Sequence, residues 1–335
     1  NTILMPHDKH RTFEESWISF GGKGPLIEFT YFLTNNQTLT ERLRGQISNL
    51  LLEKVPDSWF DILKVVSLAG KIGGAVSVSK LKNIVKCDNF ISAIQRFTDE
   101  YLIRETLDKT YIEALHPIRA TILDEVLRSL TINEPIDDLL NCIGCIDGYN
   151  VQYLLMDYFT ENPYNKQIVK DITLAIQNDW SSFARTIKAM LWLDVKRYYE
   201  SNAQIISNLI KDKGKGWLVL MPMDISGLLR PDEFVFENLV KDSSFPGISK
   251  DAIIQTIDNL RASLSSICID FEATDTFILS ATIPTSNIKN DDDCDAFGYS
   301  LFWLAKRNRE LNEVKLNEDS WNILLHSDFQ ICANA

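Results

Sequence analysis

The sequence predicts a mainly α-helical protein with a few strands. Three observations carry this: apolar residues recur at helical spacing through most of the chain, two adjacent strand-like runs follow three short helices near residue 100, and strand-like runs are rare elsewhere. The expected order is a helical segment over 1–54, a winged helix over 55–130 and a mostly helical extension over 131–335.

Each element follows from local pattern. Residues 26–34 are apolar on most faces of two turns, and Leu39, Leu43, Ile47 and Leu50 repeat at helical spacing, so two helices joined around Asn35-Asn36 are expected. The second is expected to start at Thr40 and to present Arg42, Arg44 and Gln46 as a polar face. From Pro56 a new stripe begins with Trp59, Ile62, Leu63, Val66 and Leu68, and Gly70 to Gly74 breaks it. A short helix over 78–85 follows. A third helix is expected from Asp88, whose side chain can cap it, with Phe90, Ile91, Ile94 and Phe97 on its apolar face. Strands over 101–105 and 110–114 then flank Thr106-Leu107-Asp108-Lys109, giving three helices and a β-hairpin.

After Pro117 a helix runs to Leu130, and helical spacing recurs over 151–159, 168–176, 183–199, 205–210 and 253–267. Strands are expected at 217–221 and 276–283, the latter ended by Pro284, and 287–295 is polar and acidic enough to read as a loop. No fixed repeat of ~34–47 residues stands out.

Composition narrows function. A chain of 335 residues that is 45% hydrophobic folds around a large core. Its net charge of −12 repels phosphate backbones, so nucleic acid is a poor partner, and the third helix sets Asp88, Asp99 and Glu100 against Arg96 alone. The six cysteines are scattered rather than arranged as a disulfide scaffold, which points to a reducing cytoplasm. No apolar run approaches the ~18–20 residues that cross a bilayer. Asn1 suggests a piece cut from a longer protein.

Catalytic motifs are missing. Gly-Lys occurs at Gly22-Lys23, Gly70-Lys71 and Gly214-Lys215 without the Ser or Thr of a P-loop, and no dinucleotide fingerprint or Gly-x-Ser-x-Gly elbow is found. Cys142-Ile143-Gly144-Cys145 lacks a second pair at zinc-finger spacing and reads as buried thiols. Asp291-Asp292-Asp293 with Asp295 lacks the spaced ligands and turn Gly of a calcium loop.

Two motifs remain. Gly22-Lys23-Gly24-Pro25-Leu26 is a loop entering a helix, with Pro25 suited to the first helical position. Leu115-His116-Pro117 sits between hairpin and helix, where the imidazole is either a packed structural residue or a donor to phosphate. Arg119 either adds a charge-assisted contact or is a solvated helix-start residue.

With the stretch from Gly22 to Leu52, this order resembles the helical lid and winged helix of bacterial STAND NTPases, signal-transduction ATPases that include antiphage defence proteins. The resemblance covers about residues 1–130. It implies that Pro25, with Gly24 or Gly22, contacts the adenine side of ADP, and that His116 reaches its β-phosphate. Leu115 and Pro117 depart from the family's Met-His-Asp pattern. The resemblance further implies ADP or ATP with Mg2+ held jointly with a P-loop domain of the same protein, a protein trigger such as a phage protein, and homo-oligomerisation on activation. This chain alone would not hydrolyse ATP. The rival readings are a non-enzymatic helical scaffold and a winged-helix regulator of transcription.

Overall fold

The computed structural model describes residues 12–20, 29, 37–131, 135–201, 270–307, 309 and 314–326. The Gly22–Leu26 motif and the expectations at 205–210, 217–221 and 253–267 lie outside them. Among the described residues the protein is mainly α-helical, with a small three-stranded antiparallel sheet. It divides into two compact units, residues 1–154 with 175–177, and residues 155–174 with 178–335.

In the first unit, α1 spans Phe13–Phe20 and α2 spans Leu39–Leu52. Helix α2 starts one residue earlier than Thr40 because Thr38 forms a capping box. Its hydroxyl accepts from the Glu41 amide at 3.1 Å, and its own amide donates to the Glu41 carboxylate at 2.7 Å. Leu39, Leu43, Ile47 and Leu50 are fully buried, and α2 packs along α6, residues Pro117–Leu130. Gln46, expected on the polar face, is buried and its Nε2 donates to the Glu100 carbonyl at 2.8 Å. This tertiary partner is invisible to local spacing.

Helix α3, Asp57–Lys71, is the hub of the unit, apolar on nearly every face and buried from Ile62 to Gly70. It ends in a turn where Gly73, at φ +72°, donates to the Gly70 carbonyl and Gly74 donates to that of Ala69. Strand β1 (Ala75–Ser77), helix α4 (Val78–Val85) and helix α5 (Phe90–Asp99) follow. Helix α5 begins two residues after Asp88. Asn89 in the left-handed region holds the N-cap position with no side-chain cap, so the expected Asp88 cap is not made.

Strands β2 (Ile103–Glu105) and β3 (Tyr111–Ala114) form the wing, and the sheet order is β1-β3-β2. Val76 pairs with Ile112, both buried, and Arg104 pairs with Glu113, their side chains 2.7 Å apart. The helix, strand, two helices and hairpin make the winged-helix arrangement. Helix α7, Pro135–Cys145, packs on α3 and α4. Helix α8 (Gly148–Glu161) begins in the first unit and ends in the second, and α9 (Lys166–Ala175) belongs to the second up to Leu174; both lie at the expected places.

The second unit is built on α10, Trp180–Ser201, against which α11 (Glu272–Ser280) and α12 (Asp291–Lys306) pack; α13 spans Glu318–His326. Two expectations fail here. Residues 276–280 of the expected strand are the end of α11, and the chain is extended only from Ala281. The helix is fixed at both ends from afar. The buried Asp194 carboxylate accepts from the Ala273 and Thr274 amides at 2.9 Å each and from the Thr274 hydroxyl at 2.7 Å, and Arg309 donates to the Ile278 and Leu279 carbonyls. Likewise the acidic run is the first turn of α12 rather than a loop. Asn290 caps it through the Asp293 amide, and Asp293 accepts from Lys289. Carboxylates there meet the positive end of the helix dipole.

Candidate functional site

The site begins where β3 hands the chain to α6. Gly70 of α3 lies so close that a Cβ on it would come within 2.4 Å of the Ala114 Cβ and 2.8 Å of the Ala120 Cβ. Three small residues thus hold the end of β3 and the first turn of α6 against the core helix.

Between them His116 is the N-cap of α6. Its backbone is extended at φ −165°, and its Nδ1 accepts from the Ile118 amide at 3.1 Å. An accepting Nδ1 places the proton of the neutral ring on Nε2. The imidazole is exposed. It therefore presents one N–H donor to solvent at the positive end of a helix. Pro117, at the first helical position, has no N–H, and the Ile118 amide is taken by His116. An anion at this place would thus be met by the imidazole more than by backbone amides. Pro117 also has a structural explanation, since its ring presets the helical φ.

Arg119 lies in the same turn, but its Nη2 donates to the Tyr101 carbonyl at 2.8 Å. Tyr101 sits at φ +56°, just past the end of α5, where its amide bonds to Thr98 and the Leu102 amide bonds to Phe97. Arg119 thus ties α6 to a left-handed turn after α5, a partnership between residues 18 apart that spacing alone does not reveal. Gly24 and Pro25 lie outside the described residues, so His116 and Arg119 are the candidates the structure places, both in the opening turn of α6.

Ion pairs centred on the buried Lys64, Asp124 and Asp138 join α3, α6 and α7. Lys64 lies 3.3 Å from Asp61 and 3.9 Å from Asp138, while Asp124 lies 3.1 Å from Arg128 and 3.6 Å from Lys71. Burial pushes the Asp138 carboxyl up to about 6, against the pull of Lys64. The ion pair is long, and Lys64 is shared with Asp61, so desolvation wins.

The remaining candidates are occupied with structure. Cys142 and Cys145 are free buried thiols, and burial pushes Cys145 up to about 12 and Cys142 well above its ordinary value, so neither offers a reactive thiolate. Among the described residues no group of three or more His, Cys, Asp or Glu side chains is placed to hold a metal. Arg96, the lone cation expected on the third helix, pairs with Glu53 and Glu100. No helix of the described residues is long and apolar enough to cross a membrane. No protein-family model matches this chain, and no curated protein or solved structure does either.

Proposed function

We propose that this chain is the lid and winged-helix part, with a helical extension, of a nucleotide-switched signal-transduction ATPase of the STAND type. ADP or ATP with Mg2+ would be held mainly by a P-loop domain of the same protein, with Gly24 and Pro25 at the base and His116 at the phosphate. Activation by a protein trigger, a phage protein in an antiphage setting, would drive homo-oligomerisation in the cytoplasm.

The observation that carries the reading is the exposed imidazole of His116. Its Nδ1 is held by the Ile118 amide, so its Nε2–H is oriented outward at a helix N-terminus. A single exposed donor suits an accessory phosphate contact, not a complete nucleotide site. Arg119, engaged with Tyr101, supports the turn and is the weaker candidate for ligand contact. Nucleic-acid binding is disfavoured, because the cation of α5 is engaged with two carboxylates in a chain of net charge −12. A helical scaffold that only binds protein is favoured by one feature, the exposed Tyr149 and Tyr153 on α8, whose rings lie 5.3 Å apart and tilted at 57°.

The test is ADP retention by the protein together with its P-loop domain. His116→Asn keeps a helix cap and removes the outward imidazole donor, so ADP should be held roughly 10- to 150-fold less tightly, the loss of one charge-assisted hydrogen bond. Unchanged retention would assign His116 to capping alone and remove the basis of the reading.

A further inference from the structure

We infer that α2 and the winged helix are one rigid body, so that the connector at residues 53–56 is a fixed elbow and not a joint. Spacing places a boundary between the first helical segment and the winged helix here, and a boundary of four residues would ordinarily be a place to bend. The connector has no slack. Lys54 sits at φ +55° with its amide bonded to the Leu51 carbonyl, and the Val55 amide reaches back to Leu50. This pair of bonds closes a Schellman turn on the end of α2. Pro56, with its φ fixed by the ring, is already the N-cap of α3, and its carbonyl accepts from Trp59.

Two side-chain pins cross the same elbow. Gln46 Nε2 donates to the Glu100 carbonyl at 2.8 Å, and Arg96 Nη2 lies 3.1 Å from Glu53 Oε1. Both tie α2 to α5. The buried stripe of α2 is Leu39, Leu43, Ile47 and Leu50, each 0–2% exposed, and α6 is the described element along which α2 packs most extensively.

Exposing one buried aliphatic side chain shifts an equilibrium by roughly 10- to 150-fold, so lifting α2 off all four into water costs more than a ~10⁴-fold differential affinity supplies. Helix α2 therefore stays on α6 unless the four side chains are buried again elsewhere. Only the consequence for switching rests on the proposed function: any nucleotide-driven rearrangement would move α2 together with His116.

Native-state hydrogen exchange on the full chain, without nucleotide and in low denaturant, tests the inference independently of that function. Slow amides in α2 (Leu43, Ile47, Leu50), α3 (Val65, Val66) and α6 (Leu123, Leu127) should open together, with one protection factor and one denaturant dependence. Ile47→Val, mild enough to leave the chain folded, should lower protection in all three helices by the same factor. Opening of α2 at a lower denaturant dependence while α3 and α6 stay closed would overturn the inference, as would an Ile47→Val effect confined to α2.

Discussion

His116 divides its two nitrogens between two tasks, and substitutions separate them. His116→Ala removes the helix cap, so thermal or chemical unfolding should show a loss of about 0.5–2 kcal/mol. His116→Asn should show almost none, because Asn caps through its own carbonyl oxygen. Equal losses would mean the ring contributes by packing rather than as an acceptor. At Asp138 the sign runs the other way from most acids. Its folded-state value of about 6 lies above the ordinary 3.8, so the folded state binds the proton more tightly. The advantage this gives to folding is complete at pH well below 3.8 and is lost as pH rises through about 6. Asp138→Asn should therefore stabilise the protein at pH 7.5 by roughly 1–3 kcal/mol and leave it unchanged near pH 4. Destabilisation at pH 7.5 would show that the Lys64 pair outweighs burial. The behaviour of Asp138 was not legible in the sequence, where it is one of many acids and nothing marks Lys64 as buried.

Elements whose signals are local were readable, and those fixed by distant groups were not. Helices α2 to α6 carry their own stripes, breaks and start signals, and the wing lies between two short β-prone runs. Strand β1 escaped because Ala75–Ser77 is too short to show a period. Helix α11 was mistaken for a strand because Phe277, Ile278 and Leu279 form an apolar run, while the groups that cap it, Asp194 and Arg309, are remote in sequence. Asp194→Ala should accordingly cost roughly 2–5 kcal/mol, since it leaves two buried amides and a hydroxyl without an acceptor; a smaller loss in denaturant unfolding would mean that water replaces the carboxylate. The turn after α2 offers the opposite case. Lys54→Gly relieves a left-handed side-chain residue, worth roughly 1–2 kcal/mol, against about 0.5–1 kcal/mol of added chain entropy, so a small net gain is expected in the same assay. For the candidate site, the sequence singled out His116 and its Pro117, but the engagement of Arg119 with Tyr101 depends on a fold-level contact.

For the whole molecule, no turnover of ATP above background is expected of this chain alone, because none of its three Gly-Lys pairs is followed by Ser or Thr. Hydrolysis that co-purifies with the chain and is abolished by changing one of its residues would disprove this. The sheet carries one more consequence. Its two outer strands, β1 and β2, are three residues each, and the neighbour on the inner side of both is β3. A foreign strand laid along either border would gain only a bond or two before running past the end, too little to offset the ordering of an extended peptide. This sheet is therefore a poor template for fibril growth and a poor dock for partners that bind by adding a strand.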